Sequence, residues 1–120
     1  MELIASIAVG MVAALHLSFM ILEMFFWNKP LGMRVFGLKP GFAESTRALA
    51  ANQGLYNGFL VAGLVWGLIP GTGGFPIQLF FLCCVVAAGL FGAITASRAI
   101  LFVQAFPGAV ALVLVLMAHR

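Results

Sequence analysis

The sequence predicts an all-α integral membrane protein, a compact bundle of four transmembrane helices. Two observations carry that prediction. Hydrophobic residues make up 64% of the 120-residue chain and charged residues only 8%, far from the composition of an ordinary soluble domain. Four apolar stretches, about 3–26, 48–69, 77–96 and 100–118, each approach the roughly 20 residues that a helix needs to cross the hydrocarbon. They are continuously apolar rather than alternating, which argues against a β-barrel. Together they use most of the chain, so residues 1–120 read as one membrane domain.

The first stretch has Glu2 at its start, and no Lys or Arg precedes the apolar run. It is also longer than a secretory signal core, so it reads as a retained helix. His16 and Glu23 lie seven residues apart on one face of it, with Phe19 and Met20 in the same stripe. They read either as a proton-bearing pair lining a cavity or as a backbone-bonded histidine and an arginine-paired glutamate. An intramembrane carboxylate is a functional-site hypothesis in its own right. Arg47 and Arg98 are the two candidate partners, because an unpaired charge at that depth is costly.

Residues 28–46 contain Pro30, Pro40 and three glycines, so they do not form one continuous helix. Their bulky apolar and basic residues suit a short segment in the headgroup region. Ser45 or Thr46 is the candidate cap of the second helix, with Glu44 favourable near its N-terminus.

The second helix carries the strongest motif, the run from Asn52 to Leu60, NQGLYNGFL. Asn52, Gln53, Tyr56 and Asn57 fall on one arc of about 140°. Gly54 and Gly58 form a GxxxG on a different face, and Gly63 and Gly67 form another. Small residues at this spacing let helix backbones approach closely. The polar arc either lines a ligand cavity or hydrogen-bonds neighbouring helices as structural glue.

In the third helix, Gly89, Gly92, Ala93 and Ala96 make a small-residue packing stripe, and Thr95 is positioned to bond back to the preceding turn. Cys83 and Cys84 are adjacent, without metal spacing or a CxxC, and read as small core residues. In the fourth helix, Gln104, Pro107, Gly108 and Ala111 share a face. Pro107 cannot donate to the carbonyl four residues earlier and so bends the helix.

Orientation follows from the basic residues. Lys29, Arg34, Lys39, Arg47 and Arg98 fall on one side and only Arg120 on the other. The positive-inside rule then places both termini outside the cytoplasm. The net charge of +3 points to anionic membrane lipids as partners and not to nucleic acid. No metal cluster, cofactor motif or Ser-His-Asp arrangement is visible.

The NQGLYNGFL run, the LEMFFW pattern before it, and the later GLFGAIT with a glutamine-proline helix resemble a family of small bacterial membrane proteins known only as domain of unknown function thirteen-oh-four. The resemblance covers essentially the whole chain. It matches Glu23, Asn52, Gln53, Asn57, Thr95 and Gln104, and implies four helices in a bacterial inner membrane without implying an activity. A weaker similarity links the chain to membrane-associated eicosanoid and glutathione metabolism enzymes. Their second helix opens with an Arg-Ala-x-x-Asn-x-x-Glu motif. Here Arg47-Ala48 precedes Asn52 with one extra residue, and Leu55 stands where the glutamate is expected, which removes a glutathione contact.

The function expected from these residues is binding or transfer of a small or amphipathic molecule in a polar pocket open to the cytoplasm. Glu23, Asn52, Gln53, Tyr56, Asn57 and Gln104 would line it, with His16 nearby and Arg47 or Arg98 at its mouth. The alternatives are a proton-coupled transporter using Glu23 and His16, which at this size requires a homo-oligomer; a glutathione-dependent membrane enzyme with Tyr56 polarising the substrate; and a structural partner in a membrane complex.

Overall fold

The computed structural model describes residues 1–120, and the chain is all-helical. In order, the elements are α1 (Glu2–Phe25), α2 (Pro30–Phe36), α3 (Pro40–Ser45), α4 (Arg47–Leu68), α5 (Gly74–Thr95), a π-helical segment (Leu101–Ala105) and α6 (Phe106–Ala118). Three helical stretches are long and apolar enough to cross a membrane: Glu2–Phe25, Gly74–Thr95 and Leu101–Ala118. Helix α4 equals α5 in length at 22 residues. Its amides, tyrosine and glycines dilute its hydropathy.

The chain divides into two compact units, Leu15–Val61 and a second made of Met1–Ala14 with Ala62–Arg120. In the first, the segment after α1 is not one helix, as two prolines dictate. Each short helix has Pro at its start, where the missing N–H costs nothing. The preceding Lys29 and Lys39 are extended, the conformation that a following proline favours. Helix α2 stops at Gly37, whose φ of 65° suits a residue without Cβ. There the N–H of Leu38 returns to the carbonyl of Met33 at 2.8 Å, a Schellman closure.

Two side-chain hydrogen bonds brace this segment. Trp27 Nε1 donates to Thr46 Oγ1 at 2.9 Å, and Asn28 Nδ2 donates to Glu44 Oε2 at 2.9 Å. Thr46 is therefore not the side-chain cap of α4 that its position suggests. Its hydroxyl donates backwards to the Phe42 carbonyl at 2.6 Å, and Ser45 does the same at 3.0 Å.

In the other unit, the end of α4 packs on the start of α5. A Cβ on Gly63 would strike the Phe81 ring, and one on Gly67 would lie 2.7 Å from Gln78 Cγ. Gln78 Nε2 donates to the Gly67 carbonyl at 2.6 Å, satisfying one of the acceptors a helix end leaves open. Helix α5 then meets the last helix through its own small residues. A Cβ on Gly89 would lie 2.6 Å from the Ala105 nitrogen, and one on Gly108 would lie 2.7 Å from Val85 Cγ1. Thr95 bonds back to the Phe91 carbonyl at 2.7 Å, as its position predicts.

The fourth apolar stretch is not a uniform α-helix. The Phe106 N–H reaches back five residues to the Leu101 carbonyl, and Pro107 follows within the first turn of α6. The proline thus sits beside a π turn, a known way for a helix to absorb a missing donor.

Candidate functional site

Within the Leu15–Val61 unit, α1 and α4 cross at glycines. A Cβ added to Gly54 would lie 2.6 Å from Met24 Cγ, 3.1 Å from Glu23 Cβ and 3.1 Å from the Met20 carbonyl oxygen. One added to Gly58 would lie 3.0 Å from Met20 Sδ. Met20 and Met24 are four residues apart, as are Gly54 and Gly58, and the pairing runs in opposite senses. The two helices therefore cross antiparallel, two flexible side chains seated on two residues that have none. Methionine suits this role because its unbranched thioether adapts to irregular space.

This close approach places a carboxylate beside an amide. Asn57 Nδ2 donates to Glu23 Oε1 at 2.9 Å. Both residues are 8% exposed, and His16, on the same α1 face two turns earlier, is 0% exposed with its ring edge-on to Phe19 at 5.5 Å. The sequence leads one to expect an arginine as the partner of Glu23, and the structure supplies an amide instead. Arg47 is exposed at the first position of α4. The reason is register: Asn57 follows Gly54 by three residues, so it points into the crossing that the glycine opens.

The polar arc of α4 consequently splits. Asn57 is buried with Gly54, whereas Asn52, Gln53 and Tyr56 are exposed. Asn57 lies only about 60° round the helix from Gly54, so it joins the glycine face and leaves the other three behind. Gln104 is half-buried within the π segment, and Arg98 is exposed in the turn after α5. Of the expected lining residues, Glu23 and Asn57 are brought into contact. Met24 was not legible as a site residue, although its four-residue spacing from Met20 opposite a GxxxG is a signal that finds it.

Chemically, the pair is a carboxyl group with one amide donor on one oxygen. A carboxylate offers about four acceptor positions, so capacity remains for a further donor. No cluster of three His, Cys, Asp or Glu residues that could hold a metal is present.

The family described as protein of unknown function (DUF1304) matches residues 10–116. An uncharacterized protein named YpaA, from Lactococcus lactis subsp. lactis (strain IL1403), is 28% identical over 104 residues, covering 84% of this chain and 87% of the relative. No solved structure matches the chain.

Proposed function

The chain belongs to the family of proteins of unknown function (DUF1304), and we propose that it is a four-span protein of a bacterial cytoplasmic membrane that binds a small or amphipathic molecule at Glu23 and Asn57. Helix α4 supplies the fourth span: its 22 residues extend about 33 Å against a hydrocarbon thickness of about 30 Å. The bias of Lys and Arg puts Lys29, Arg34, Lys39, Arg47 and Arg98 in the cytoplasm and both termini outside.

The observation that carries the binding reading is the buried hydrogen bond from Asn57 to Glu23. Helices that need only glue are served by amides and hydroxyls, which carry no charge to desolvate. A carboxyl group in a span is far more expensive, and such groups mark ligand, ion or proton sites. Met20 and Met24, packed on Gly58 and Gly54 beside the pair, would supply apolar walls, and the few polar groups there suit a small-molecule site.

Native mass spectrometry of protein released from lipid nanodiscs tests this. Wild-type protein is expected to retain a small molecule or a distinct lipid, and Glu23→Gln, which preserves shape and hydrogen bonding, is expected to lose it. Wild-type protein that emerges empty from every lipid mixture would remove the binding reading and leave a packing pair.

A second reading is favoured by one further observation, the complete burial of His16 on the Glu23 stripe. Two ionisable groups on one helix face within about 11 Å suit proton movement coupled to transport. In proteoliposomes, Glu23→Gln would then abolish flux driven by a pH gradient while the thermal melt stays unchanged.

A further inference from the structure

Helix α4 presents a second pattern that the Glu23 site does not use. Leu49, Asn52, Tyr56 and Phe59 are spaced three, four and three residues apart, the seam spacing of helices that pair side by side. All four are exposed: Leu49 by 71%, Tyr56 by 53% and Phe59 by 57%, with Asn52 in the same class. Gln53 flanks the seam and is also exposed. The seam's mean direction lies roughly opposite the face of Ala50, Gly54 and Asn57, which is buried. It ends at Gly63, where the Phe81 ring covers the helix.

In lipid, apolar side chains gain little by leaving one hydrocarbon surface for another, so polar groups and close packing decide which helix faces associate. Exposed carboxamides and a phenol there lack partners unless another helix supplies them. Copies of one protein inserted in one orientation meet about an axis normal to the membrane. A seam residue close to that two-fold axis then faces its own counterpart at the same depth. A carboxamide carries two donors and an acceptor, so Asn52 is complementary to itself, and the uncharged seam requires no counter-ion. A polar residue at one seam position among larger apolar ones also fixes register and partner number.

We propose that this chain self-associates through α4, with the Leu49–Asn52–Tyr56–Phe59 seam packed against the same seam of a second copy. The pairing places Asn52 against Asn52 about 8 Å along α4 from its first residue, with Gln53 beside it and the aromatic pair of Tyr56 and Phe59 (ring centroids 6.1 Å apart) closing the deeper part. It rests on α4 crossing the membrane and is independent of what Glu23 binds.

The test is disulfide cross-linking of the full chain in its native membrane, in a Cys83→Ala, Cys84→Ala background. Asn52→Cys and Leu49→Cys are expected to give covalent dimers under copper phenanthroline, whereas Phe91→Cys, 70% exposed on α5, stays monomeric. Two substitutions on the seam guard against one that fails to fold. Thr72→Cys, in the turn after α4, is expected to react with a membrane-impermeant maleimide from outside only. Labelling of Thr72→Cys and of Ser45→Cys, which lie beyond the two ends of α4, from the same side of the membrane would end the span reading and the seam with it. External labelling without cross-links at either seam position, or cross-links equally strong at Phe91→Cys, would overturn the seam alone. In dilution experiments in lipid, Asn52→Leu is expected to weaken self-association by about 3- to 20-fold, the range of interhelical polar contacts in membranes. An unchanged dissociation constant would count against Asn52 as the register-setting contact.

Discussion

At Glu23, two substitutions separate a hydrogen bond from a charge. Asn57→Leu removes the only amide donated to the carboxyl group in this structure and leaves a buried acceptor without it. That is expected to lower stability by about 1–3 kcal/mol, read as a reduced unfolding free energy in detergent. Glu23→Gln keeps an oxygen for Asn57 to donate to and buries an amide in place of a carboxyl group, so it is expected to be no less stable than wild type. If Asn57→Leu melts like wild type, the pair contributes nothing to folding and its role lies elsewhere. In the sequence, Glu23 and Asn57 both stand out, and charge complementarity pairs the carboxylate with an arginine. Charge complementarity is legible in a sequence, whereas the angle at which two helices cross is not. The crossing at Gly54 and Gly58 is what brings the amide within reach.

Among elements, the glycines sort into those that hold helices together and those that do not. A Cβ at Gly89 would sit 2.6 Å from the Ala105 nitrogen and 2.8 Å from its Cα, and backbone cannot step aside. Gly89→Ala is therefore expected to cost about 1–3 kcal/mol by forcing α5 away from the π segment. Gly54→Ala presses on the Met20 carbonyl and on Glu23 and is expected to cost a similar amount while loosening the Asn57 bond. At Gly10 nothing lies within 4 Å, so Gly10→Ala should gain up to about 1 kcal/mol of helix propensity. Chemical denaturation of the three variants in one detergent checks the ranking, and Gly89→Ala as stable as Gly10→Ala would refute the packing account. The sequence places Gly54 and Gly89 in small-residue stripes and leaves Gly10 outside any; the neighbours show what a methyl group would strike at each.

For the whole molecule, orientation is the quantity that sequence addresses most directly. In the proposed four-span arrangement, five of the six basic residues, those within residues 28–47 and at 98, fall on one side and Arg120 alone on the other. An alkaline phosphatase fused after Arg120 is expected to be active in the periplasm, and a fluorescent reporter that matures only in the cytoplasm is expected to stay dark. The reverse pattern would invert every span and move the Glu23 site to the outer half of the membrane.

That this chain is helical follows from its long uninterrupted apolar runs, which leave the backbone no better way to satisfy its hydrogen bonds. The interruptions at Pro30 and Pro40 and the irregular helix beside Pro107 are local as well, since a missing N–H acts whatever surrounds it. What the polar residues do depends on how the helices pack. Asn52, Gln53, Tyr56 and Asn57 look equivalent on a helical wheel, yet one is buried against Glu23 and three are exposed. That division depends on which side of α4 meets α1, and two methionines seated on two glycines set it. A contact between residues 34 positions apart has no local signature, because its geometry is fixed by packing and not by the propensities of either segment.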